Sequence, residues 1–213
     1  MKILLVQIKD FENSLENKIK FFFERKNFEV ISKTFDLLET AMIPEILLID
    51  SVSIDYMIGV GLAGFFVLSE TNSNSKIVIN PWMSPSQKLS QKRTVSYDLL
   101  TTLKKIETKT YDRVDAEMRV ATYGIFTHDA NSCDKEMFFK TYGRNMNGVD
   151  NYSLMGEEYI YLILENALKY FGASLNSWDY IPGLDPRLIT LWKKMLDFSK
   201  NYDIINDYLE GIM

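Results

Sequence analysis

The sequence predicts an α/β domain built on a mostly parallel sheet. Three observations carry this. Short apolar runs rich in β-branched residues recur along the chain. Amphipathic helical stretches alternate with them. One apolar run passes straight into a glycine-rich turn, "GVGLAG" (59–64), and a second apolar run follows. The chain has 213 residues, of which 46% are hydrophobic and 25% charged, enough for one good-sized core in an ordinary globular protein.

In chain order, "KILLVQI" (2–8) reads as a buried strand. Ser14 is placed to cap a helix that carries Leu15, Ile19, Phe22 and Phe23 on one face. "NFEVISKTF" (28–36) alternates and reads as a second strand. Residues 37–50, "LLETAMIPEILLID", stay open between helix and strand, with Pro44 dividing them or starting a turn. "DYMIG" (55–59) is expected as a strand and "LAGFFVLSE" (62–70) as a helix. "TNSNS" (71–75) follows as a turn, and "KIVINP" (76–81) as a strand stopped by Pro81. Residues 82–117 are polar and read as a helical or irregular insertion. "RVATYGIF" (119–126) resumes the sheet, a helix is expected over 134–142, and a short strand over 144–149. In "GEEYIYLILENALKYFG", Ile160, Ile163, Leu164, Ala167, Leu168 and Phe171 share one helix face, with Gly172 as its stop. Beyond it the pattern breaks. Asp185-Pro186 is an N-cap followed by a first-turn proline, and Leu188, Trp192, Met195 and Leu196 then form an apolar stripe. The expected division is a domain over 1–172 and a helical extension over 173–213. That extension packs on the domain or forms a homodimer contact, so monomer and homodimer both stay open.

Composition narrows the function. The net charge is −5 with acidic and basic residues interspersed, and no basic stripe follows a phosphate backbone, so nucleic acid is not expected as a partner. Cys133 is the single cysteine, which excludes an intrachain disulfide and a multi-cysteine metal site. The first residues lack the features of a signal peptide, and no run approaches ~18 apolar residues, so the expected location is the cytoplasm rather than a membrane. No cofactor is expected. His128 is the single histidine, so any mechanism that needs a histidine base must use it.

The turn at 59–64 has the shape of G-x-S-x-G, in which a serine sits at the apex of a strained strand-to-helix bend. Here Gly59, Ala63 and Gly64 keep the small flanks, and Gly61 occupies the apex. With "INPWMSPSQ" (79–87) behind it and "ILLVQIKDFENS" (3–14) ahead, the segment resembles the YqiA-type esterases, a branch of the α/β-hydrolase superfamily. The resemblance covers residues 1–172. It implies an α/β-hydrolase-like fold and a serine, acid and histidine triad. Mapped by that resemblance, the nucleophile position is Gly61. The acid is Asp129, with Asp134 as the alternative, and the histidine position is Asn151. The first loop, "QIKDF", lacks the glycine of the family's oxyanion segment. Gly61 supplies no oxygen, and an asparagine amide takes up no proton near neutral pH, so the triad cannot operate by this route.

"HDANSCDKE" gathers His128, Asp129, Cys133 and Asp134 in one loop, where a metal site or a Cys–His pair is possible chemistry. The His-x4-Cys spacing matches no established site. A polar loop capped by Asp129 or Ser132 is the simpler reading. Most aromatics serve the core. Trp82 is singled out because it follows a strand's carboxyl end, where open α/β sheets bind ligands, and Leu62 borders the same place. "QKLSQKR" (87–93) reads as a solvated basic face. The expected function is therefore a catalytically inactive hydrolase-fold protein that keeps a pocket for a small apolar or acyl ligand, or binds a protein partner. The alternatives are an ester or thioester hydrolase acting through His128, Asp129 and Cys133, and a structural module dimerising through its tail.

Overall fold

The computed structural model describes residues 1–71, 74–92, 95–127, 130–143 and 160–171. All of them lie in one compact unit, Met1–Ser174. Its centre is a five-stranded, all-parallel sheet in the order β2-β1-β3-β4-β5. The strands are β1 (Lys2–Ile8), β2 (Glu29–Phe35), β3 (Tyr56–Val60), β4 (Ser75–Ile79) and β5 (Thr122–Ile125). The inner strands are short and mostly apolar because helices cover the sheet. Every residue of β3 and β5 is buried.

From β1 the chain goes outward to β2, then returns past β1 and builds β3, β4 and β5 on the other side. The reversal between β1 and β3 is a topological switch point. In such sheets the loops leaving the two central strands diverge and open a crevice at their carboxyl ends.

Helix α1 (Ser14–Arg25) buries Leu15, Ile19, Phe22 and Phe23 as its spacing predicts. Its cap is Asn13, not Ser14: the Asn13 side chain accepts from the Leu15 N–H. Asn27, at φ 60°, turns the chain out of the helix, a left-handed position that asparagine tolerates. A 3-10 turn (Leu37–Glu39) follows β2, and "EILLID" belongs to helix α2 (Ile43–Asp50), with Pro44 in its first turn. Helix α3 (Leu62–Ser69) is buried at every position. It packs on β3, β4 and β1, with α2 and the later helix α5 (Tyr97–Tyr111) against it.

The segment expected as an insertion contains α4 (Pro85–Ser90), α5 and the start of α6 (Ala116–Val120). The strand expected from 119 begins at Thr122. Asp115 caps α6 by accepting from the Met118 N–H, and this keeps Arg119 and Val120 helical. Helix α7 (Ser132–Tyr142) is capped by Asn131, which accepts from the Cys133 and Asp134 N–H groups, rather than by Asp129 or Ser132. Helix α8 (Ile160–Tyr170) buries Ile160, Leu164, Ala167 and Leu168 and packs on α1. Lys26 and Glu165, both buried side chains, join these two helices at 3.6 Å. The strand expected at 144–149, the stop at Gly172 and the whole extension with Trp192 lie outside the described residues. Among the described residues no helix is long and apolar enough to cross a membrane.

Candidate functional site at the carboxyl edge of the sheet

The turn leaving β3 has Gly61 at its apex, at φ 58° and ψ −119°. Side chains rarely adopt that backbone conformation, and it costs about 1–3 kcal/mol where one is forced into it. Three backbone hydrogen bonds hold the apex. Its N–H donates to the Ile79 carbonyl at 2.9 Å, and its carbonyl accepts from the Trp82 N–H at 3.0 Å and the Phe65 N–H at 3.3 Å.

The neighbouring glycines are required for a different reason. A Cβ on Gly59 would lie 2.7 Å from backbone atoms of Ala63 and Gly64. One on Gly64 would lie 3.1 Å from the Gly59 carbonyl oxygen and 3.3 Å from Pro81. Strand and helix cross too closely there for side chains. At Gly61, among the described residues, a Cβ would meet the Trp82 indole alone, with Nε1 at 3.5 Å.

The loop leaving β4 places that indole. Asn80, at φ 46°, exchanges two side-chain hydrogen bonds with Thr127, at 2.7 and 2.9 Å. The Met83 N–H donates to Asp134 Oδ1 at 2.9 Å, and the Met83 carbonyl accepts from the Tyr111 hydroxyl at 2.7 Å. The Ser86 N–H donates to the buried Glu107 carboxylate at 2.7 Å. Residues 80–86 are thus fixed from β5, α5 and α7 at once, and Trp82 is carried on a rigid support.

The loop leaving β1 completes the crevice. It has no glycine, yet it still turns through a left-handed residue, Asp10 at φ 64°. Aspartate is among the few side chains that visit this region. The turn delivers Phe11 edge-on to Trp82, with centroids 5.8 Å apart. Two ammonium groups sit on this aromatic pair: Lys88 Nζ is 5.0 Å from the Trp82 centroid and Lys92 Nζ is 4.2 Å from that of Phe11. Lys88 also forms an ion pair with Asp134. The run "QKLSQKR" is therefore not wholly a solvated face, because two of its lysines cover the aromatic pair.

A buried carboxyl group lies beside the end of β1. Glu16, in the first turn of α1, accepts from Gln7 Nε2 at 2.7 Å through one oxygen. The other, Oε1, has no partner among the described residues. Burial pushes the Glu16 pKa up, against the hydrogen bonds from Gln7 and the Asn13 backbone.

The sequence-predicted residues divide as follows. Gly61, Leu62 and Trp82 come together. Asp134 stands close by, but its oxygens are engaged by Met83 and Lys88, so it pins the Trp82 loop. Cys133 is exposed in the first turn of α7. His128, Asp129 and Asn151 lie outside the described residues. Phe11, Lys88 and Lys92 were not singled out in the sequence. Among the described residues no three His, Cys, Asp or Glu side chains are grouped to hold a metal ion.

The arrangement offers hydrogen-bond donors and no nucleophile at the apex. α3 begins without a side-chain cap, and the N–H groups of Leu62 and Ala63 have no partner among the described residues. The Trp82 indole N–H, also without an acceptor there, borders the same space over Gly61. Donors of this kind pair with an uncharged or anionic oxygen. No family model matches the chain, and no curated protein or solved structure is detectably similar to it.

Proposed function

We propose that this is a catalytically silent α/β-hydrolase-fold protein, related to the YqiA-type esterases, that binds the oxygen of a small apolar or acyl ligand at the carboxyl edge of its sheet without turning it over. The observation that carries the reading is the backbone of Gly61. A strained, positive-φ apex is held between a strand and a buried helix, with tight glycines on either side. In a hydrolase such strain presents a nucleophile. Here it presents a hydrogen atom. The N–H groups of Leu62 and Ala63 and the indole N–H of Trp82, without partners among the described residues, remain around it, which favours binding without bond cleavage.

The test is a covalent one paired with a binding one. A fluorophosphonate probe, which labels activated serine, is expected to leave the protein unmodified. Titration with butyramide, an acyl compound that resists hydrolysis, is expected to shift the Trp82 indole N–H and Leu62 amide resonances. Trp82→Phe, which keeps the ring and removes the donor, should weaken that binding. Stoichiometric labelling of one residue would overturn the silent reading. Unmoved Leu62 and Trp82 signals would overturn the ligand.

A further inference from the structure

At the opposite edge of the sheet a groove of about 220 Å³ opens between α2, the end of α3 and α5. Its apolar wall is Ala41, Pro44, Leu48 and Ile106, and its polar wall is formed by Ser69, Thr71, Lys109 and Arg113, with Glu45 at the side of α2. Lys109 and Arg113 stand four residues apart along the chain, at the end of α5 and just past it. Among the described residues neither has a carboxylate partner. Arg113 is nonetheless held in place: Nε donates to the Lys109 carbonyl at 2.7 Å and Nη2 to the Ser69 carbonyl at 3.4 Å. Capping α5 accounts for one of those bonds and leaves other guanidinium N–H groups toward the groove.

The nearby buried pair does not neutralise these cations. Lys76 and Glu70, almost fully buried, form an ion pair with one another at 3.3 Å. Burial pushes the Lys76 pKa down, and the positive charge of Arg113 pushes the same way. Two positive groups with no carboxylate partner among the described residues therefore line the groove opposite its apolar wall. A positioned guanidinium beside an apolar surface recognises a carboxylate on a hydrocarbon body. Glu45 on the facing side disfavours ligands of higher negative charge.

We infer that the groove between α2 and α5 is a binding site for a small apolar monocarboxylate, with the carboxylate on Arg113 and Lys109 and the hydrocarbon on Leu48, Pro44 and Ile106. It does not depend on the reading of the Gly61 turn, since the two places use different residues. The probe is hexanoate, compared with hexylamine and hexanol, followed by amide chemical shifts of the full chain. Hexanoate should move Thr71, Ile106 and Lys109 most, and hexylamine should not. Arg113→Gln, a change at an exposed side chain, should raise the apparent Kd for hexanoate by about tenfold. Leu48→Ser should weaken it through the apolar wall. Equal binding of hexanoate and hexylamine would overturn the inference. So would unchanged affinity in Arg113→Gln, or hexanoate shifts confined to Leu62 and Trp82.

Discussion

Replacing Gly61 separates backbone strain from crowding. Among the described residues a Cβ there would meet the Trp82 indole alone, at 3.5 Å, an ordinary contact, so the cost of Gly61→Ala comes from φ 58°. That cost is about 2 kcal/mol. For a chain of this size it lowers Tm by roughly 4–8 °C. Gly59→Ala is the contrasting case. Its Cβ would fall 2.7 Å from three backbone atoms of Ala63 and Gly64, so strand and helix must separate, and the loss should be larger. Gly61→Ser should lose as much stability as Gly61→Ala and gain no esterase activity. It restores an oxygen, but the resemblance puts Asn151 where the histidine base would stand, and among the described residues Trp82 is the one side chain beyond its chain neighbours within 4 Å of that Cβ. The assays are thermal melting by circular dichroism and hydrolysis of p-nitrophenyl acetate. An unchanged or raised Tm in Gly61→Ala would refute the positive-φ argument, since glycine replacement at an ordinary φ is stabilising. Turnover by Gly61→Ser would show that a base stands within reach of the apex.

Three further outcomes follow from buried polar groups. Burial raises the Glu16 pKa in the folded state, so its contribution to stability is complete below the unfolded value of about 4.5 and is lost as pH rises through the higher folded value. Glu16→Gln should accordingly raise the urea midpoint at pH 7, with the advantage vanishing below pH ~4. A lower midpoint at pH 7 would contradict this. Lys76→Met leaves Glu70 buried without its cation and should cost about 3–5 kcal/mol in urea unfolding, whereas a surface pair would cost far less. Among the described residues the buried Tyr142 hydroxyl has no hydrogen-bond partner, and its ring stacks on Phe138, so Tyr142→Phe should be neutral or stabilising by about 1 kcal/mol.

The sequence carried the sheet well because the strands are short, apolar and separated by turns. It carried α1 and α8 because their buried residues recur at helical spacing. It could not settle "EILLID". That stretch is apolar on several sides, and without a period a helix and a buried strand read alike. The caps were misread by one residue at α1 and by one or two at α7, because Asn13 and Asn131 stand beside equally competent cap residues. The turn at Gly61 was legible from its glycines alone. Its surroundings were less so. Phe11, Lys88 and Lys92 reach Trp82 through tertiary packing, and nothing in "KDF" or "QKLSQKR" marks those side chains as covering an indole. The left-handed Asp10 shows why the missing glycine of the first loop was a poor guide to its backbone: aspartate holds the same kind of turn. The positive-φ turn at Gly61 carries no side chain that could act as a nucleophile.

The most direct test of a silent elbow follows p-nitrophenyl butyrate by two signals in one titration. The expected result is a shift of the Trp82 indole N–H with no nitrophenolate released above the buffer rate. A nitrophenolate burst stoichiometric with protein, which marks an acyl-enzyme, would contradict it.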